Sequence, residues 1–166
     1  MDKLRSLIVD NFHGRGRLSR KGLGLSLGLF YLFGLVTLPL QLSIALRTGR
    51  SVPDLSVAGV LLVLATVVVG WFILGAVMRR LHDRGKGAAW LLVFFGPMAV
   101  FSAVGDAIPQ GQEPLTTLLI VAGLFLPGPF MIWGGIEILA VRGQPGDNRF
   151  GPDPLAAAPV AQEAAA

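Results

Sequence analysis

The residues best equipped for chemistry are Arg79, Arg80, His82, Asp83, Arg84 and Lys86, gathered in one short stretch between two long apolar runs. Adjacent guanidiniums can hold phosphate oxygens through paired N–H bonds, and an imidazole beside a carboxylate can move protons or respond to pH. A catalytic His82-Asp83 pair is the weakest of these readings, because no nucleophile stands at a matching spacing. The chain has 0 cysteines, which removes thiolate chemistry and Cys-ligated zinc or iron–sulfur centres, and His13 with His82 makes a poor metal site. No cofactor and no metal is expected. Two uses of the cluster stay open. In one, Asp83 accepts from an arginine of the N-terminal basic segment or from the region of Asn148 and clasps helices together. In the other, the arginines bind phosphate or anionic lipid headgroups.

The surroundings of this stretch say where it must sit. A charged side chain costs about 2.5–3.5 kcal/mol at the centre of a membrane helix, so the five charges of residues 79–87 mark a membrane surface. Composition agrees: of 166 residues, 53% are hydrophobic and 14% charged, and the mean hydropathy is +0.67. Soluble domains carry about 25% charged residues. The net charge of +4 does not point to nucleic acid, since the basic residues are confined to connectors and are not interleaved with aromatics on a soluble face.

Residues 1–21 hold six basic side chains, with Leu4, Leu7, Ile8 and Phe12 at helical spacing and Lys3, Arg5 and Asp10 elsewhere on the wheel. That pattern predicts a short amphipathic helix on the bilayer surface. Uncharged runs follow at 22–46, 55–78, 87–105 and 115–137, the last ending at Glu137. At 1.5 Å per residue the first two exceed the ~30 Å hydrocarbon core. The third is just long enough to cross, with a re-entrant hairpin as its alternative. Pro53 stands where a first helical turn tolerates proline, and Gly85 or Gly87 can end the second span. Gly96-Pro97 and Pro127-Gly128-Pro129 predict breaks in the third and fourth spans. Gly24 and Gly28, four residues apart, suit close helix contact within the chain or between subunits. From residue 143 the chain is polar, and from about 155 an Ala/Pro tail is expected to be disordered. The fold class expected is an all-α membrane protein, four transmembrane helices in an antiparallel bundle preceded by the interfacial helix.

Of the 14 lysines and arginines, all but Arg47 and Arg50 lie in the N-terminal segment, the connector after the second span, or the C-terminal segment. The positive-inside rule then predicts a multi-pass protein of the bacterial inner membrane with both termini cytoplasmic. Three stretches come together on that side: Phe12-His13-Gly14-Arg15-Gly16-Arg17-Leu18-Ser19-Arg20, Arg79-Arg80-Leu81-His82-Asp83-Arg84-Gly85, and Gly146-Asp147-Asn148-Arg149-Phe150-Gly151-Pro152-Asp153-Pro154. This trio resembles the bacterial inner-membrane family catalogued as domain of unknown function 805. Its members show a Gly-Arg-x-x-Arg lead-in, an Arg-Arg-Leu-His-Asp turn followed by Trp, and a Gly-x-Asn-x-Tyr/Phe-Gly-Pro exit. The first span of that family often starts with aromatics, where this chain has Gly22-Leu23-Gly24-Leu25. The resemblance covers about residues 10–155 and implies the fold and the membrane, and no activity.

The candidate site is therefore Arg15, Arg17, Arg20, Arg79, Arg80, His82, Asp83, Arg84 and Asn148. The function expected is non-enzymatic: a rim cluster that packs the helices and engages membrane lipids, anionic ones in particular, or a partner protein or second copy. The alternatives are a small transporter or channel built around Pro97, Pro127, Pro129 and Glu137 in broken third and fourth helices, and an enzyme acting on a phosphorylated lipid.

Overall fold

A computed structural model of the chain describes residues 2–48, 56–106 and 113–156. The uncharged runs are helical over most of their described residues, as expected of a chain in hydrocarbon, where a helix satisfies each backbone group within its own segment. Helix α1 spans Asp2–His13, α2 Arg20–Thr48, α3 Val57–Asp83, α4 Ala89–Asp106, α5 Glu113–Phe125 and α6 Gly128–Gly135, and a π-helical turn covers Ile136–Ala140. Among the described residues there is no β-strand beyond an isolated bridge between Asn148 and Gly151. Three stretches are long and apolar enough to cross a membrane: Arg20–Arg47, Val57–Asp83 and Ile120–Ala140. The apolar part of α4, Ala89–Gly105, is shorter. Expectations for the first loop with Pro53, for residues 107–112 and for the tail beyond residue 156 lie outside the described residues.

The helices run past their apolar stretches into charge, and local chemistry sets their ends. Ser19 Oγ accepts from the Gly22 amide at 3.2 Å, and Ser56 Oγ from the Gly59 amide at 3.1 Å, so a side-chain oxygen satisfies an orphan donor at the start of both α2 and α3. At the end of α3, Gly85 has φ +70°, its amide donates to His82 O, and the Lys86 amide donates to Leu81 O, both at 2.9 Å. These two bonds define a Schellman ending, which needs a left-handed residue and so takes Gly85, not Gly87. The helix stops there. Lys86 consequently lies outside it, and the face that helical spacing would give to Arg79, His82, Asp83 and Lys86 does not form.

Proline acts differently in the two spans where breaks were predicted. Pro97 sits inside an uninterrupted α4, as Pro39 does in α2, so the expected break in the third span is corrected to a continuous helix. One missing amide costs one intrahelical bond, which a helix packed on its neighbours can absorb. Pro127 and Pro129 together flank Gly128, and here the chain does divide, α5 ending at Phe125 and α6 restarting with proline in its first turn.

Packing is concentrated at one end. Helix α3 packs on α1, α2 and the π turn, while α4 and α5 pack on α6 and on each other. Leu18, Leu23, Ala76, Leu81, Phe94 and Ile138 form a small buried core where these two groups meet. Away from it large apolar side chains face outward, Val36, Trp71 and Leu92 among them. Lipid is as apolar as leucine, so burying these groups would gain little. Helix α1 crosses α3 at Gly75, where a Cβ would come within 1.7 Å of Asn11 O, and the Trp71 indole donates to Phe12 O at 3.1 Å. Leu7 is half-buried against the core, and Leu4, Ile8 and Phe12 remain exposed.

At Gly24 and Gly28 an added Cβ would meet nothing within 4 Å, so their spacing serves no close contact within the chain. Gly75→Ala should therefore lower stability against thermal unfolding in detergent by about 1–3 kcal/mol, the usual cost of overpacking. Gly24→Ala and Gly28→Ala should be neutral or slightly stabilising, because alanine favours a helix over glycine by up to about 1 kcal/mol. Equal effects at the three positions would show that α1 does not dock at Gly75.

Candidate functional site at the basic rim

Asp83 is the centre of the rim, with a side chain only 4% exposed. Its Oδ1 accepts from Arg17 Nε at 3.0 Å, its Oδ2 accepts from Arg80, and a Cβ on Gly143 would collide with Oδ2 at 2.0 Å. Only glycine at 143 lets the C-terminal backbone pass so close, and there Gln144 donates its amide to Asp83 O at 2.8 Å. Asp83 thus joins three segments, its carboxylate binding Arg17 before α2 and Arg80 near the end of α3, and its backbone carbonyl the segment after the π turn. Removing one partner of a buried pair costs about 3–5 kcal/mol, against about 0–1 for an exposed pair. With Arg17 at 1% and Asp83 at 4% side-chain exposure, the first range applies.

The buried arginines bind carbonyls as well as carboxylates. Arg17 also donates to Gln144 O, Gly146 O and Gly151 O. Arg80 donates from Nε to Ile138 O at 3.0 Å, and further to Leu18 O and Val141 O. Arg79 reaches the other way, to Asn11 Oδ1 at 2.7 Å, Arg17 O at 3.3 Å and the Asp10 carboxylate at 3.4 Å. Two of these acceptors, Ile138 O and Val141 O, lie at the end of the π turn, where the last carbonyls of a helix have no partner of their own. A guanidinium suits this task because its five N–H groups point in fixed directions and can serve separate acceptors at once.

Around this centre the other predicted residues divide. Arg20 is exposed and donates to Ala140 O at 3.2 Å, and Arg15 is exposed. Arg84 Nε and Lys86 Nζ share one oxygen of Glu137, at 3.0 and 3.2 Å, and Lys86 lies 4.0 Å from the centre of the Trp90 ring, itself edge-on to Trp133. His82 Nδ1 lies 3.1 Å from Gly16 O, so it carries the proton in that bond, since a carbonyl can only accept. The His82 ring stacks on Phe150 at 4.0 Å, and Asn148 Nδ2 donates to His82 O at 2.9 Å. His82 and Asp83 thus take separate partners. Asp153 accepts from the Leu155 and Gly146 amides, which, with Arg17 and Arg142 nearby, hold its carboxyl below the usual carboxylate range. Pro97 lies within α4, remote in sequence from these contacts, and Pro127 and Pro129 start α6.

Sequence reasoning missed Asn11, Ser26, Gly75 and Gly143. Asn11 is buried, bonds Ser26 Oγ at 2.9 Å, and carries the carbonyl that approaches Gly75. The one available signal was an amide next to Phe12 in a segment otherwise read only for its apolar and basic faces.

The family described as "Protein of unknown function (DUF805)" matches residues 11–152. The chain belongs to this family. The matched DUF805 region starts at Asn11, the partner of Arg79, and ends at Pro152, just past the carbonyl of Gly151 that Arg17 binds. The Uncharacterized protein YiiR of Escherichia coli is similar, in strain K12 and in O157:H7, with 24% identity over 142 residues, 86% of this chain and 86% of YiiR. No solved structure matches.

For this DUF805 chain, Asp83→Asn should lower stability in detergent by about 3–5 kcal/mol. The swap Arg17→Asp with Asp83→Arg should recover part of that loss, read as a coupling energy in a double-mutant cycle. Unchanged stability in Asp83→Asn would remove the clasp.

Proposed function

We propose that this is a non-enzymatic, four-span protein of the bacterial inner membrane with both termini cytoplasmic, whose rim cluster packs the helices while the cations around it engage anionic lipid headgroups. The observation that carries this reading is the division among the basic residues. Arg17, Arg79 and Arg80 are buried on carboxylates and carbonyls, whereas Arg5, Arg15 and Lys21 are exposed beside them. Exposed cations contribute little to packing, and each is worth about 1 kcal/mol of attraction to an anionic membrane surface. Helix α4 supports a fourth crossing, because it packs on α6 within the Ile120–Ala140 stretch. A partner protein is the competing occupant of the exposed cations.

The interrupted fourth span favours a second reading, a small transporter or channel. Helix α6 restarts after a buried Pro127, and the π turn that follows holds Glu137 buried between two cations. Broken helices and π turns recur at solute sites. Solute flux through protein-bearing liposomes would establish it.

Two measurements test the first reading. Reporter fusions within residues 107–112 should report the outside and fusions after residue 156 the inside; a cytoplasmic signal from 107–112 would mean that α4 does not cross. In native mass spectrometry, Arg5→Gln with Arg15→Gln and Lys21→Gln should reduce retained phosphatidylglycerol several-fold at unchanged thermal stability. Unchanged retention would remove headgroup binding by these cations.

A further inference from the structure

Helix α1 is bound at a fixed depth, and one residue sets it. Asn11 is fully buried, donates from Nδ2 to Ser26 Oγ of α2 at 2.9 Å, accepts from Arg79 of α3 at 2.7 Å, and abuts Gly75 with its carbonyl. At 1.5 Å per residue, Ser26 lies about 8 Å along α2 from Lys21, and Gly75 about 6 Å along α3 from Arg79. Two helices thus put Asn11 at one level, just inside the charges of the rim. The Trp71 indole, about 12 Å from Arg79 by the same measure, holds the carbonyl of Phe12. Interfacial amphipathic helices sink their apolar face about 5–10 Å into the boundary between headgroups and acyl chains. The depth of α1 agrees.

The faces of α1 are turned to match. At about 100° per residue, Leu4, Ile8 and Phe12 share one side of the helix and are exposed, while Ser6 and Asp10, also exposed, lie on the other. Asp10 meets Arg79 at 3.4 Å with half of its side chain open. Ile8 and Phe12 open onto an apolar cleft of about 180 Å³ between α2 and α3, lined by Leu29, Phe30, Val69 and Phe72. Phe30 and Val69 lie about 14 and 15 Å along their helices from Lys21 and Arg79, so this side of α1 looks away from the rim and toward the middle of the hydrocarbon. Arg5, beside Phe12 on the wheel, has a side chain long enough to snorkel back to the headgroups. Around the cleft, Phe30, Val68 and Trp71 are exposed on the outer surface of two spans, which is the surface that lipid covers. The apolar side of α1 continues that surface. Among the described residues no such helix lies at the opposite ends of α2 and α3.

We propose that α1 is a wedge fixed in the leaflet on the basic side, with Leu4, Ile8 and Phe12 seated among acyl chains, so that the chain favours a membrane convex on that side. A helix inserted in one leaflet widens that leaflet alone, which is why interfacial helices respond to curvature. The proposal rests on the reading of the rim as a headgroup surface, which sets the zero of depth.

The test uses the full chain in bilayers containing phosphatidylglycerol. Because the chain has no cysteine, Leu4→Cys, Ile8→Cys, Ser6→Cys and Lys21→Cys can each carry a single nitroxide, read for collision with oxygen and with a water-soluble nickel chelate. Oxygen should exceed nickel several-fold at Leu4 and Ile8, the order should reverse at Ser6, and Lys21 should report the headgroup level. Should Ile8→Cys lower thermal stability, Leu4→Cys decides alone. On narrow tubes drawn from giant vesicles, with the basic side outward, the wild type should be enriched several-fold over the flat parent membrane, and Leu4→Ser with Ile8→Ser should remove the enrichment at unchanged stability. Nickel access at Leu4 and Ile8 equal to that at Ser6, with Lys21 still at the headgroups, overturns the wedge and leaves the rim reading standing. Shielding of Leu4 and Ile8 from both reagents would show a second copy or a partner protein on that face, and equal behaviour of wild type and the serine variant on tubes would show no wedge; either overturns the proposal. A Lys21 label outside the headgroup region overturns the proposal and the rim reading together.

Discussion

The structure depends on a buried carboxylate held between two guanidiniums. Asp83 lies between Arg17 and Arg80, under a glycine at position 143, where the segments before α2, at the end of α3 and after the π turn converge. In water such a pair would add little over an apolar contact. At a membrane edge the balance differs, because helices surrounded by lipid gain little by hiding leucine from leucine. Polar bonds and close backbone approach are what remain to hold them in one arrangement. The buried core is correspondingly small and lies beside this cluster, with the helices above it facing outward.

This explains why arginine carries the rim. A lysine in place of Arg80 would keep the charge, but its compact ammonium could not reach Asp83, Ile138 O, Leu18 O and Val141 O together. The same geometry separates two roles that look alike in the sequence. Arginines turned inward, such as Arg80, close the ends of helices, and others, such as Arg15, stay exposed. A single stretch such as residues 79–86 contains both an inward-turned pair, Arg79 and Arg80, and a pair sharing one carboxylate, Arg84 and Lys86.

Glycine is divided in the same way. Gly75 and Gly143 allow backbone or carboxylate to pass where any side chain would collide, and Gly85 takes a left-handed turn that ends α3. Gly24, Gly28 and Gly70 meet nothing. A Gly-x-x-x-Gly spacing therefore did not mark the close approach of α1 to α3, which runs through Gly75.

The sequence by itself determined that the chain is all-helical and built for a membrane, since uncharged runs of this length admit few other solutions, and it identified the family through the Arg-Arg-Leu-His-Asp stretch and its flanking motifs. It also marked Gly85 as a place where α3 could end, because a left-handed cap can be read from local residues. Only the tertiary structure decided which partner each charge takes. His82 and Asp83 are neighbours in the chain, yet one meets Gly16 and Phe150 and the other Arg17 and Arg80, because successive residues on a helix point about 100° apart toward different neighbours. Likewise Pro97 is absorbed within α4 while Pro127 and Pro129 divide α5 from α6. The cost of a lost amide bond depends on what surrounds the helix at that depth, and a sequence pattern carries no record of that.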